Sequence, residues 1–290
     1  MRRALRVIPR LDIKGPNLVK GVHLEGLRVL GKPWSFARAY YRGGADELIY
    51  IDAVASLYGR NSLLEIVRKT AENIFIPLTV GGGVRSVHDM RDLLCAGADK
   101  IAINTGAVNN PDLITQGAAL FGSQCVVGSI QAKLINGKYF VFTDNGREAT
   151  EREVVPWALR LVELGAGEIL VTSIDREGTA AGYDLDLIAE LADVLTVPLI
   201  VGGGCGRIDH MLEAAKNAGV DAVCASSLFH YQFLKSAQED ESFAEEGNVE
   251  FLKSHRGERE FMTSRLLPAD IKQVKFSLKA NGVSCRETAG

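Results

Sequence analysis

One stretch of this chain occurs twice. Residues 77–105 read PLTVGGGVRSVHDMRDLLCAGADKIAINT, and residues 198–227 read PLIVGGGCGRIDHMLEAAKNAGVDAVCASS, an offset of 121 positions from Pro77 to Pro198. At nearly the same offset DELIYI (46–51) returns as GEILVT (167–172), and VIPRLDIK (7–14) returns as VVGSIQAK (126–133). A duplication of this length restricts the available folds, because each half must present the same order of elements. Within each half, short β-branched runs alternate with longer amphipathic stretches. Strands are expected over 5–12, 47–52, 76–80, 99–104, 125–131, 168–173, 198–202 and 221–226, with helical patterns such as 86–96 and 207–218 between them. Asn110-Pro111 reads as an N-cap followed by proline at the first helical position. Apolar runs bounded by turns and separated by helices indicate parallel strands covered on both faces. Eight such units, four in each half, predict an α/β fold of the (β/α)8 TIM-barrel type. An open doubly wound sheet would not explain the twofold repeat. On this reading residues 1–290 form a single barrel, with half-barrels at about 1–122 and 123–233, an insertion at about 234–266, and a C-terminal helix at about 268–281.

Composition narrows the function classes. A formal net charge of −3 gives no reason to expect nucleic acid as a partner. No apolar run approaches the roughly 18–20 residues that span a bilayer, so no membrane association is expected. The basic start, MRRALRVIPRLDIKG, is followed by an apolar part too short and interrupted for a signal peptide. Five cysteines (Cys95, Cys125, Cys205, Cys224 and Cys285) are scattered, with no CxxC pair. Reduced thiols in a cytoplasmic protein follow, and no metal site or cofactor is expected.

In a barrel of this kind functional groups gather at the C-terminal ends of the strands. Asp12, Asp52, Gly81–Gly83, Asn104, Gln131, Thr172, Gly202–Gly204 and Ser226–Ser227 would then surround one mouth. Each VGGG ends a strand and precedes a helix, so its backbone N–H groups can approach an anion at a helix N-terminus. Each is followed about 20 residues later by a strand ending in small polar residues, INT or ASS, able to donate further hydrogen bonds. Two phosphate sites on opposite sides of one mouth suit an elongated ligand carrying a phosphate at each end. Asp12 ends the first strand, with Lys14 and Lys20 in the following loop. A carboxylate in a largely apolar mouth has its pKa raised toward the working pH of a general acid or base. SIDREGTAAGYD (173–184) reads as a mobile polar loop able to close over substrate. KLINGKYFVFTDNGREAT (133–150) carries Asn-Gly turn signals and predicts a small hairpin excursion. At the opposite end Arg6, Glu47, Lys100 and Glu168 lie at or near the N-terminal ends of the first, second, fourth and sixth strands, and four charges of alternating sign there read as a salt-bridge ring.

These residues resemble a known family. RLDIKGPNLVKG, DELIYIDAVAS, VGGGVRS, GADKIAINTGAV, LFGSQCVV, GAGEILVTSIDREGTAAGYD and ASSLFH are similar to the HisF family, the synthase (cyclase) subunit of imidazole glycerol phosphate synthase. The similarity runs over about residues 5–233 and resumes at IKQVKFSLKANGVSCR. The resemblance implies a lyase that takes ammonia from a HisH-type glutaminase partner. It would convert a phosphorylated substrate, a bisphosphate ribulosyl-formimino intermediate, to imidazole glycerol phosphate and an aminoimidazole carboxamide ribotide. By motif, Asp12 corresponds to the first catalytic carboxylate and Lys20 to the lysine of the first loop. Gly82, Gly83, Asn104 and Thr105 correspond to one phosphate site; Gly203, Gly204, Ser226 and Ser227, with Gly178, correspond to the other. Arg6, Glu47, Lys100 and Glu168 correspond to the charged entrance for ammonia. Asp99 and Gln124 fall where the glutaminase would dock.

The chain departs from the family pattern in several places. Gln131 stands at the second catalytic aspartate, and an amide cannot serve as a general acid or base near neutral pH. Pro9, Arg10 and the GPN of the first loop also differ. Residues 236–260 of the insertion hold eight acidic and three basic side chains. These departures leave an alternative beside the synthase reading. Resemblance to HisF-like paralogues associated with amidation of bacterial surface sugars implies this alternative, in which the barrel passes ammonia from a glutaminase to a sugar amidotransferase and its own cyclase chemistry is weakened or lost.

Overall fold

The computed structural model describes residues 4–55, 63–217, 219–237 and 265–287. The eight barrel strands are β1 (Arg6–Lys14), β4 (Leu48–Asp52), β5 (Leu78–Gly81), β6 (Lys100–Ile103), β7 (Val126–Ile135), β10 (Glu168–Ser173), β11 (Leu199–Gly202) and β12 (Ala222–Ala225). They pair in parallel in that order, and β12 pairs with β1 to close the barrel. Four strands come from each copy of the repeat, as the sequence predicts.

Side chains alternate across a strand, so each buried strand serves two cores. Outward residues such as Val7, Val80, Ile101, Ile130, Val171 and Val201 pack with Phe36, Met90, Leu93, Leu161, Leu191 and Met211 from the surrounding helices. Inward residues form a second apolar layer of Ile8, Ile49, Ala102, Val127, Leu170, Ile200, Ala222 and Cys224. One step toward the strand N-termini from that layer lie Arg6, Glu47, Lys100 and Glu168. One and two steps toward the C-termini lie Arg10, Ser129 and Thr172, then Asp12 and Gln131.

Three local expectations are corrected. The segment after β1 is not a plain loop: it folds into an antiparallel pair, β2 (Asn17–Val22) and β3 (Glu25–Gly31), so Lys20 sits on a strand. The corresponding excursion after β7 is larger than a small hairpin. β7 continues antiparallel to β8 (Lys138–Thr143), which pairs with β9 (Glu148–Glu153). Left-handed Asn136 and Gly137 form the first turn, and Asp144, Asn145 and Gly146 lie in the second. Both copies of the repeat therefore carry a β-excursion at the mouth. Finally, the helix Asp112–Phe121 begins one residue later than expected, with Pro111 at its N-cap and no side-chain cap bond. The expected insertion lies almost wholly outside the described residues; the helix Ile271–Ala280 follows it, closed by a capping box between Asp270 and Gln273.

Candidate active site

The mouth is polar and ionic rather than apolar. Arg10 and Asp12 lie two apart on β1 and so share its inner face. The Arg10 Nε and Nη2 atoms both lie 2.9 Å from Asp12 Oδ1. The Arg10 Nη1 donates to Thr172 Oγ1 on β10 at 2.9 Å. Lys20 Nζ pairs with Glu177 and lies 3.7 Å from Asp12 Oδ2. All four ionic side chains are buried. Burial alone would raise the Asp12 pKa, but the Arg10 and then the Lys20 charge outweigh it, and the carboxyl is held below its ordinary value. This corrects the expectation of a raised pKa. Burial likewise lowers Lys20, but Glu177 and Asp12 reverse the effect and the ammonium is held above its ordinary value. Two cations and two anions thus balance in one buried cluster.

The repeat-equivalent positions across the barrel carry no charge: Ser129 stands for Arg10 and Gln131 for Asp12. Gln131 Oε1 accepts from Asn104 Nδ2 at 3.1 Å, and the same nitrogen donates to the Phe142 carbonyl at 3.0 Å. The Asn104 Oδ1 is buried with no hydrogen-bond partner. A cavity of about 390 Å³ opens here, lined by Gly82, Gly83, Asn104, Thr105, Ser129 and Gln131 among others. The second glycine loop forms a repeat-related recess with Gly203, Gly204, Ser226, Ser227 and Gly178. Its volume is only about 20 Å³, and Arg10, Lys20 and Glu177 fill its sides.

The structure brings both sets of expected phosphate residues together but revises how they would bind. The glycines do not sit on the N-terminus of the next helix. The helix Val87–Cys95 is closed by Ser86, whose hydroxyl accepts from Asp89 N in a capping box. The N-terminus at the cavity belongs to Thr105–Asn109, where Asn104 makes no capping bond. Gly82 and Gly203 also have a steric role. Both have φ near +95°, and a Cβ would lie 2.5 Å from the Asp52 carbonyl oxygen or 2.6 Å from that of Ser173. The hydroxyls are partly committed: Thr105 Oγ1 accepts from Asp144 N, and Ser226 Oγ donates to the Arg10 carbonyl.

The segment 173–184 is tied down at several points. The Glu177 carbonyl accepts from His23 N at 2.8 Å, and Asp184 accepts from the Tyr139 and Ser173 hydroxyls. Sequence reading did not single out Glu177, and treated Arg10 only as a departure from a family pattern. Strand alternation was the available signal for Arg10, because it places that residue on the face of Asp12.

At the other end the four expected charges close a ring. Arg6 reaches Glu47 at 2.7 Å and Glu168 at 2.5 Å; Lys100 reaches each glutamate at 2.9 Å. Burial would raise the Glu47 pKa, but Arg6 and Lys100 outweigh it and hold the carboxyl below its usual range. Asp99 is partly structural, since Oδ2 accepts from Leu78 N at 2.8 Å; Asp221 does the same for Leu199 N in the other half. Gln124 is exposed beside the start of β7. Phe75 and Val194, on connections, and Leu120, in the last turn of the helix Asp112–Phe121, are exposed at this same end of the barrel. Among the described residues no helix is long and apolar enough to cross a membrane, and no three candidate metal ligands cluster.

Comparison with known proteins matches residues 6–235 to the family of histidine biosynthesis proteins. The imidazole glycerol phosphate synthase subunit HisF of Legionella pneumophila is 61% identical over 206 residues, 71% of this chain and 97% of that protein. The HisF subunit of Bacillus cereus (strain G9842) is 50% identical over 229 residues, 79% of this chain and 91% of its own. That of Methanopyrus kandleri is 46% identical over 266 residues, 85% of this chain and 98% of its own.

Proposed function

Since the chain belongs to the family of histidine biosynthesis proteins, and its relatives are HisF subunits matched over nearly their whole length, we propose that it is the synthase (cyclase) subunit of imidazole glycerol phosphate synthase. Its substrate is a bisphosphate ribulosyl-formimino compound, and its products are imidazole glycerol phosphate and an aminoimidazole carboxamide ribotide. The observation that carries this reading is the pair of repeat-related glycine loops on either side of one mouth, with the buried Asp12 between them. A ligand with a phosphate at each end satisfies both loops at once.

In this scheme backbone N–H groups of the Gly82–Gly83 and Asn104–Thr105 segments, with the Thr105 hydroxyl, hold one phosphate in the 390 Å³ cavity, the Asn104 side-chain amide being committed to Gln131 and Phe142. Gly203, Gly204, Gly178, Ser226 and Ser227 hold the other, which needs Glu177 to move off Lys20 so that the ammonium can face the phosphate. Once Lys20 turns to phosphate, Asp12 loses one of its two cations and its basicity rises. It then accepts a proton from the amine formed as ammonia adds to the substrate ketone. Gln131, held by Asn104, orients the reacting chain by hydrogen bonding and moves no proton.

Relatives named as subunits imply that this chain works with a partner subunit. We assign that partner as a HisH-type glutaminase docked on the end that carries the ionic ring, near Asp99 and Gln124. Ammonia then enters through the Arg6–Glu47–Lys100–Glu168 ring and crosses the apolar interior layer as a neutral molecule. Neither the site nor the comparisons add support to the sugar-amidation alternative. The test is product formation from the bisphosphate compound with saturating ammonium salt in place of the partner. Turnover that saturates with substrate is expected; no turnover together with no substrate binding overturns the synthase reading.

A further inference from the structure

The two halves of the barrel are sequence repeats, yet the interior leads to very different spaces above the apolar layer. Ala102 on β6 and Cys224 on β12 are repeat equivalents within that layer. Ala102 lines the cavity of about 390 Å³, whereas Cys224 lines the recess of about 20 Å³, room for about one water molecule. Arg10, Lys20 and Glu177 line the smaller recess, and of these Arg10 is the one fixed directly above the inner layer. Its carbonyl is fixed by Ser226 Oγ at 2.9 Å, and its guanidinium crosses to Thr172 on β10 at 2.9 Å. Around the barrel, β12 and β11 lie between β1 and β10. The Arg10 side chain therefore forms a chord across the sector that contains Cys224 and Gly202, closing it from above. Its repeat equivalent, Ser129, is too short to do the same over β5 and β6, and lines the open cavity instead.

We propose that Arg10 makes the barrel one-sided for ammonia: the interior path opens only past Ala102 and Ser129, into the cavity beside Gln131, and is shut on the Cys224 side. This rests on the glutaminase-coupled synthase reading and specifies where in that site the ammonia emerges. The side chain suits the role because it is held at both ends and buried, with only 3% of its surface exposed. A guanidinium bonded to Asp12 and Thr172 cannot swing aside without leaving the carboxylate with Lys20 alone. Ammonia is thereby delivered on the uncharged side of the mouth, from which it meets the central part of a substrate that spans the two phosphate sites and faces Asp12.

The test uses the two-subunit complex and the matched substitutions Ala102→Leu and Cys224→Leu. The readout is the ratio of glutamine-driven to ammonium-driven turnover at saturating substrate, which general damage to the barrel does not change. Ammonium from solution enters through the open mouth and bypasses the interior. Ala102→Leu is expected to lower the ratio by about tenfold or more, and Cys224→Leu to keep it within about twofold of wild type. Equal ratios in the two variants, or a larger loss for Cys224→Leu, overturn the proposal. If either leucine variant fails to fold by circular dichroism, Ala102→Val and Cys224→Val give the same comparison with less added volume. A wild-type complex active with ammonium but not with glutamine would refute the glutaminase reading, and this proposal with it. A wild type active with neither would refute the synthase assignment itself.

Discussion

Replacing Gln131 with aspartate tests the chemistry of the mouth most directly. Gln131 is 8% exposed, and the groups beside it are neutral: the Asn104 amide donates to it, and Phe142 and Thr172 are its cross-strand neighbours. A carboxyl placed there is desolvated without the Arg10 and Lys20 charges that hold Asp12 down. Its pKa should rise by about two units, modest for a buried acid. Two carboxyls pushed in opposite directions by their surroundings form an acid–base pair, one kept ionised and one able to give up a proton near neutral pH. Adding a positioned proton-transfer group is worth about 10²–10⁴ in rate, or about 3–5 kcal/mol of barrier. The variant should therefore raise ammonium-driven kcat by at least about a hundredfold, with little change in KM. The same rise in pKa has a stability cost of about 2.7 kcal/mol at pH 7. The folded state of the variant binds the extra proton more tightly than the unfolded chain does. The penalty is thus absent below about pH 4 and grows until about pH 6. Urea unfolding at pH 4 and pH 7 measures it. A kcat unchanged or lowered in Gln131→Asp, with substrate binding intact, would refute the reasoning; Gln131 would then matter for its hydrogen bond rather than for the proton it lacks.

Three further outcomes are expected. Arg10→Met removes the largest charge holding Asp12 down, so the acid limb of the kcat/KM profile should move to higher pH by about one to two units. The stability that ionised Asp12 contributes is present above its unfolded pKa and lost as pH falls through the lower folded value, so the variant should lose stability mainly at neutral pH. Glu47→Gln leaves Arg6 and Lys100 sharing Glu168, and urea unfolding at pH 7 should show a loss of about 3 kcal/mol. Because Glu47 titrates below its usual range, the gap between this variant and wild type should close as the pH falls below about 4. Gly203→Ala forces a Cβ to within 2.6 Å of the Ser173 carbonyl at a φ of +95°. It should cost about 1–3 kcal/mol by thermal denaturation and weaken competition by inorganic phosphate, whereas Gly137→Ala, at an open turn with similar φ, should leave that competition unchanged.

What the sequence by itself determined was the barrel and the location of its two ends. Eight strands were legible because buried parallel strands are short apolar runs, and the repeat told which strands belong together. The ring of Arg6, Glu47, Lys100 and Glu168 was legible for the same reason: a charge at the start of an apolar run has few places to go. The glycine loops, Asp12 and Gln131 also fell where expected, since strand ends define the mouth. Tertiary structure decided everything that depends on who meets whom across the barrel. Lys20 and Glu177 are 157 positions apart in the chain, and only the folded excursion after β1 brings one onto the other. The direction of the Asp12 pKa followed from those neighbours; a linear sequence records that the carboxyl is buried but not how many cations share its burial. The difference between the two halves is of the same kind. Arg10 and Ser129 are a single substitution within a repeat, yet a side chain long enough to reach β10 closes one outlet and a short one leaves the other open. Reach across a closed barrel is a property of three-dimensional distance, and no local pattern encodes it.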